Sequence, residues 1–179
     1  MGKVLFYFVR HGESEGNTKG VLSGHTDYPL TEKGREQARE TAALIPTDYV
    51  YVYSSDLLRC KQTTEIVNVK KLPIVFDVRL RERNFGELTG KSWDELDPEG
   101  VLRKADVEQK YDYRPYGGES ADQVEARLME CFNEIKDSVT KGTKVLIVTS
   151  GGIIRMLHLR HKNEEHAHIP NASVHEFEL

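Results

Sequence analysis

Short apolar runs alternate along this chain with longer segments whose apolar residues recur three and four positions apart. Val4-Leu5-Phe6-Tyr7-Phe8-Val9 is β-branched and aromatic without helical spacing, which predicts a buried central strand. A polar loop follows, Arg10-His11-Gly12-Glu13-Ser14-Glu15-Gly16-Asn17. Thr31 then suits the N-cap of a helix with Ala38, Ala42, Leu44 and Ile45 on its apolar face, ended by Pro46. Tyr49 to Tyr53 predicts a second strand, and Ser54-Ser55-Asp56 is expected to cap a helix through about Asn68, with Leu57, Leu58 and Ile66 facing inward. Ile74-Val75-Phe76 predicts a third strand. Ser120 to Val139 is amphipathic through Val124, Leu128, Cys131, Phe132 and Ile135. Lys144 to Thr149 predicts a fourth strand, Gly151 to His161 its helix, and Ser173 to Phe177 a final strand.

Strands alternating with helices predict an α/β fold: a three-layer sandwich with a mostly parallel central sheet and helices on both faces. No repeat, low-complexity tract or linker interrupts residues 1–179, so one domain is expected. Residues 80–119 lack a regular pattern and are long for a loop. We read about 83–118 as a lid that sets substrate selectivity, with short helices such as Trp93 to Leu96. Trp93, Tyr111, Tyr113 and Tyr116 are expected either to line the substrate mouth or to pack the lid.

Composition narrows the function classes. With 38% hydrophobic and 30% charged residues, the 179-residue chain has an ordinary globular mix. A formal charge of −4 disfavours a general nucleic-acid binder and leaves room for a small anion held by local cations. Cys60 and Cys131 form no CxxC pair and are expected to be free thiols in a reducing compartment. The first apolar run is too short to span a membrane. A cytoplasmic protein with no membrane and no nucleic-acid partner is the expectation, and a homodimer is left open.

The candidate chemistry sits at the strand ends, where open parallel sheets bind ligands. Strand one delivers Arg10 and His11, strand two leads into the helix carrying Arg59, and strand four delivers Ser150-Gly151-Gly152. Two arginines can fork around a phosphate, and helix N-termini add amide donors. A histidine there can attack phosphorus if a backbone carbonyl holds its other ring nitrogen. The leaving alkoxide needs a proton from a carboxyl whose pKa a dianionic phosphate raises; Glu82 and Glu13 are candidates.

These residues carry a family resemblance. Arg10-His11-Gly12-Glu13-Ser14 with Asn17 resembles the RHGE-[ST]-x-x-N signature of the histidine phosphatases, the cofactor-dependent phosphoglycerate mutase-like superfamily. Ser23-Gly24-His25-Thr26-Asp27 through Leu30-Thr31, with Gly34 and Gln37-Ala38, resembles the family's second block, and Ser54-Ser55-Asp56-Leu57-Leu58-Arg59 with Gln62-Thr63 its third. Leu80-Arg81-Glu82 through Phe85-Gly86, and Gly117-Gly118-Glu119-Ser120, follow in order. The resemblance implies a phosphoglycerate mutase-like fold. It implies His11 as phosphoryl acceptor, Arg10 and Arg59 as phosphate holders, and Glu82 as proton donor. Asn17, Ser23, Gly24 and Gly151 would contact the phosphoryl group. No metal and no diffusible cofactor is implied, and the substrate would be a small phosphorylated metabolite, with inorganic phosphate a further ligand.

One position departs from the family pattern V-x-H-G-G-x-I-R: the chain reads Val148-Thr149-Ser150-Gly151-Gly152-Ile153-Ile154-Arg155, with serine where the second histidine is expected. Serine donates one neutral hydrogen bond and carries no positive charge. Three functions compete: a phosphomonoesterase slowed by Ser150, a phosphoglycerate mutase-type phosphotransferase, and a catalytically impaired phosphate-binding or interaction module. The short stretch between Glu82 and Glu119 favours the phosphatase over the mutase. Arg155 is expected to brace the rim by an ion pair, His25 to lie near the pocket, and His158, His161, His166, His168 and His175 to be surface residues without a metal-ligand pattern.

Overall fold

The computed structural model describes residues 3–166 and 168–179. Its five strands are β1 (Leu5–Arg10), β2 (Tyr51–Ser54), β3 (Ile74–Phe76), β4 (Lys144–Thr149) and β5 (Val174–Glu178), in the spatial order β3-β2-β4-β1-β5. All neighbours pair in parallel except β5, which runs antiparallel to β1. The expected mostly parallel α/β sheet is the observed one.

Strand alternation builds the layers. Phe6 and Phe8 of β1 and their register partners Val145 and Ile147 of β4 join one buried cluster, with Val124, Leu128, Phe132 and Ile135 from α6 (Ala121–Ser138). Tyr7, Val9, Leu146 and Val148 fall in the other cluster, with Ala38 of α2 (Glu32–Ala42) and Cys60 and Val67 of α3 (Leu58–Val67). Each central strand is therefore apolar on both sides, which is why it reads as a continuous run.

Local chemistry explains the departures from expectation. The polar loop after β1 contains a one-turn helix, α1 (Glu15–Thr18), closed by a capping box between Ser14 and Asn17. The residue N-capping α3 is Leu57, whose side chain caps nothing; instead Asp27 Oδ1 reaches across and accepts from the Leu58 N–H at 2.8 Å. Ser54 and Ser55 are fully buried at the end of β2. The region 83–118 holds the expected helix α4 (Trp93–Leu96) and a further one, α5 (Val101–Val107). Tyr111 and Tyr113 are buried, Tyr113 edge-on to Phe85 and Tyr111 tilted against Tyr113, so both pack the interior of this region; Tyr116 is exposed. The final helix is α7 (Gly151–Leu157), continued by one π turn, His158–Lys162. Among the described residues no helix is long and apolar enough to cross a membrane.

Candidate active site

Parallel pairing brings the carboxyl ends of β1, β2 and β4 to one rim. Arg10 pairs with Thr149 and Ser54 with Val148, and the His11 N–H donates to the Thr149 carbonyl at 3.0 Å. His11 and Ser150 therefore emerge side by side. The pocket beyond them has a volume of about 170 Å³ and is lined by Arg10, His11, Asn17, Ser23, Gly24 and Arg59 from the predicted set, together with Glu82 and Gly151. That volume is below the roughly 300–1,000 Å³ of sites that enclose a whole small-molecule ligand, so the pocket has room for a phosphoryl-sized group.

Hydrogen bonds fix the tautomer of His11. Its Nδ1 lies 2.7 Å from the Gly12 carbonyl, which can only accept, so Nδ1 carries the proton. Arg59 Nε donates to His11 Nε2 at 3.2 Å, which requires a lone pair there. Burial, then the positive charges of Arg59 and Arg10, hold the imidazole pKa well below its ordinary value, against the Gly12 bond. His11 is thus a neutral base with its lone pair on the pocket side.

The arginines are held by backbone. Arg59, 1% exposed, donates through Nη1 to the Thr26 carbonyl and through Nη2 to the Gly24 carbonyl at 2.9 and 2.8 Å. Each terminal nitrogen keeps a second hydrogen for an anion. Gly24 has φ +46°, a left-handed conformation that brings its carbonyl to Arg59. Arg10 donates to the Ile169 carbonyl, and burial lowers its pKa to about 10, which leaves it cationic at neutral pH.

Asn17 is oriented by its capping role. Its Oδ1 accepts from the Ser14 N–H, the Ser14 hydroxyl and Asn171 Nδ2, leaving the Nδ2 hydrogens for the pocket it lines. Ser23 Oγ is buried and finds no partner among the described residues, as suits a donor awaiting an anion.

Glu82 accepts from the N–H groups of Arg83 at 2.9 Å and Gly152 at 3.0 Å. Burial pushes its pKa up, but Arg83, these two amides and Arg59 outweigh it, and the net shift is downward. Glu13, the other candidate acid, is committed elsewhere: it accepts from Thr31 and pairs with Lys33 at 2.8 Å. His25 Nε2 lies 2.7 Å from the Glu82 carbonyl and so supports the acid from behind.

Ser150 occupies the N-cap of α7 but its side chain caps nothing. It is fully buried, with Oγ beside the Cys60 thiol and without a well-formed hydrogen bond among the described residues. Burial raises the Cys60 pKa to about 11, so this thiol is inert. The lining residues are Gly151 and Gly152, not the serine side chain.

Sequence reasoning missed part of the wall. Arg83, Phe85, Arg155, His168 and Ile169 also line the pocket. Arg155 forms the expected ion pair, to Asp106 at 2.7 Å, and Arg83 Nη1 meets the other oxygen of the same carboxylate at 2.5 Å. Asp106, 3% exposed on α5, also accepts from the Tyr113 hydroxyl. Arg83 was within reach of sequence, since it adjoins Glu82 in the fourth block; nothing in the pattern marked Asp106 or Asn171. The C-terminal histidines are a second correction: His158 is 5% exposed and, with Glu164 and His166, forms a close cluster.

Residues 6–179 match the model of the histidine phosphatase superfamily (branch 1). Phosphoglycerate mutase-like protein 4 of Arabidopsis thaliana is 35% identical over 96% of this chain and 77% of its own. The metal-independent phosphoserine phosphatase of the same plant is 37% identical over 85% of this chain and 66% of its own. Among solved structures, a mycobacterial glucosyl-3-phosphoglycerate phosphatase in complex with VO3 superposes with a TM-score of 0.84 at 27% identity, over 96% of this chain and 91% of that one.

Proposed function

Because the chain belongs to the histidine phosphatase superfamily, we propose that it hydrolyses a small phosphomonoester through a phosphohistidine on His11. The observation that carries this reading is the pair of bonds on the His11 ring: Gly12 takes the Nδ1 proton while Arg59 meets the Nε2 lone pair. When a phosphate enters, Arg59 Nε turns from that lone pair to a phosphate oxygen, which frees the nucleophile.

Nε2 then forms a bond to phosphorus as the bond to the leaving oxygen breaks. Arg10, Arg59, Ser23 Oγ, Asn17 Nδ2 and the amides at Gly151 and Gly24 oppose the charge on the equatorial oxygens. Glu82 hands a proton to the departing alkoxide. Its pKa is depressed by Arg83 and the neighbouring amides, and a bound phosphoryl dianion supplies the like charge that pushes it back up. In the second half, Glu82 takes a proton from water, the hydroxide attacks phosphorus, and inorganic phosphate leaves His11 regenerated.

Ser150 slows this cycle. At the position where the family carries a second histidine, it offers a buried hydroxyl that does not line the pocket. Loss of one such donor costs about 100- to 1,000-fold in rate. Four arginines, Arg10, Arg59, Arg83 and Arg155, line the pocket; Glu82 and Asp106 offset two of these charges, which leaves a surplus that matches one phosphoryl dianion. The phosphoserine and phosphoglycerate-type substrates in the relatives' names are small phosphomonoesters of this class. We propose a cytoplasmic setting, a reading that the free, buried thiols of Cys60 and Cys131 support.

The test is rapid acid and alkaline quenching after mixing with an aryl phosphate labelled at phosphorus. The parent protein is expected to form an acid-labile, base-stable phosphoprotein and to release phosphate, and His11→Ala to do neither. Label retained on His11→Ala would overturn the assignment. Ser150 also motivates a second reading, a phosphate-binding module without turnover; it wins if the parent binds phosphate yet gives no phosphoprotein and no release. Isomerisation of a phosphorylated hydroxy acid without net release would identify a mutase.

A further inference from the structure

Away from the phosphate pocket, three ligand-type side chains converge where the π turn after α7 folds back toward β5. The Glu164 N–H donates to the His158 carbonyl at 3.1 Å and closes this loop. It places His158 Nδ1 2.7 Å from Glu164 Oε2, with His166 Nε2 3.7 Å from the same oxygen. One ligand atom from each of the three residues lies within 4.8 Å of the others.

A tetrahedral ion bound at about 2.0–2.1 Å holds its ligands roughly 3.4 Å apart. The observed separations bracket that value. Glu164 and His166 have side chains 51% and 37% exposed, so both can make the sub-ångström to ångström adjustment without disturbing the core. His158, buried, is the fixed member.

Behind His158 runs a ladder of hydrogen bonds that points the same way. His158 Nε2 lies 2.8 Å from His175 Nδ1, His175 Nε2 lies 2.8 Å from Ser173 Oγ, and the Ser173 hydroxyl donates to the Pro170 carbonyl at 2.7 Å. That carbonyl can only accept, so Ser173 must accept from His175 Nε2–H. His175 Nδ1 must then accept from His158 Nε2–H. In a neutral His158 this leaves Nδ1 as a lone pair, 2.7 Å from a carboxylate oxygen that is also an acceptor. Two acceptors at that distance need a cation between them or a proton on Nδ1. A metal ion satisfies every member, and it gives His158 the oriented second-nitrogen bond that metal-ligating histidines characteristically make.

We propose that His158, Glu164 and His166 form a site for a divalent transition-metal ion, with His175 as the positioning residue behind it. Two imidazoles and one carboxylate suit a borderline ion such as Zn²⁺, Co²⁺ or Ni²⁺, whereas Mg²⁺ and Ca²⁺ want oxygen sets. Three protein ligands leave the remaining position to water. The site is structural and separate from the phosphoryl chemistry, which needs no metal. Its ligands lie between α7 and β5 on the same segment as His168 and Ile169, which line the phosphate pocket. Lys162, whose ammonium lies over the Phe177 ring, is the competing positive charge nearby.

The test uses the full, tag-free chain, stripped with chelator and titrated with Co²⁺ and then Zn²⁺ at neutral pH. One equivalent of Co²⁺ is expected to bind with the intense visible absorption of a four-coordinate site, and Zn²⁺ to displace it. Glu164→Gln and His166→Ala, both at exposed side chains, should each abolish that spectrum. His175→Gln should keep the stoichiometry and weaken affinity about 10- to 100-fold. His11→Ala and His161→Ala should bind as the parent does. Absence of stoichiometric binding would overturn the proposal, as would a spectrum that survives Glu164→Gln and His166→Ala or disappears with His11→Ala. Phosphoprotein formation on His11 is read separately and stands or falls independently.

Discussion

Replacing Ser150 with histidine tests how the site is built. The parent hydroxyl is fully buried and lacks a well-formed hydrogen bond, so removing it relieves an unsatisfied group worth about 1–3 kcal/mol. A larger ring in that place costs a similar amount through overpacking, about 1–3 kcal/mol. Native stability should therefore change little, and urea midpoints check it. Turnover should change a great deal. Residue 150 leaves β4 beside His11, fixed by the His11 N–H bond to the Thr149 carbonyl at 3.0 Å. An imidazole reaching the phosphoryl oxygens from there supplies a cationic donor that strengthens as charge develops, worth roughly 3–4 kcal/mol, or about 100- to 1,000-fold. Because the gain belongs to the transition state, kcat should rise while KM stays close to the parent value. The assay is steady-state hydrolysis of an aryl phosphate with burst kinetics to separate the two half-reactions. A folded Ser150→His protein that binds phosphate normally but shows no gain in kcat would refute the reasoning.

Three other outcomes follow from the same geometry. Gly152→Ala would place a Cβ 2.4 Å from Glu82 Oε1, displacing the carboxylate from its amide; kcat should drop by about 100-fold or more, as for loss of general acid catalysis, with smaller effects on inhibitor binding by phosphate. Asp106→Ala leaves the buried Arg83 and Arg155 without their shared carboxylate and should cost about 3–5 kcal/mol in urea denaturation. The depressed pKa of His11 has a definite sign: below about pH 6.5 the unfolded chain takes up a proton that the native ring refuses, so stability falls as pH drops through that range. His11→Asn should remove this part of the pH slope, and the acid limb of kcat/KM should lie below pH 6.5; an unchanged slope would contradict the buried neutral imidazole.

The order of strands and helices, and most of the candidate site, could be read from the chain because they rest on local rules. Val4 to Val9 is apolar on both faces, Ser120 opens an amphipathic helix, and His11, Arg59 and Glu82 sit in spaced motifs along the chain. Local rules also misplaced some features. Ser54-Ser55-Asp56 looks like a cap, but Asp27 from another segment takes that role, because an unsatisfied helix N–H donates to any carboxylate that tertiary packing brings near. The tyrosines of region 83–118 divided into buried Tyr111 and Tyr113 and exposed Tyr116, a split that no local pattern marks.

Only the folded chain decided which groups became neighbours. The His11 tautomer depends on Arg59, 48 residues away, and the Arg83–Asp106–Arg155 cluster depends on a helix that composition did not announce. The C-terminal histidines, scattered in the sequence, became a ladder from Glu164 to Pro170 because β5 returns antiparallel beside β1 and sets His175 against His158. The sequence by itself determined the residue types that can hold a phosphate and the strands that carry them. Their protonation, their pairing and the depth of Ser150 were decided by tertiary structure, because burial and Coulomb interactions depend on distance in space rather than along the chain.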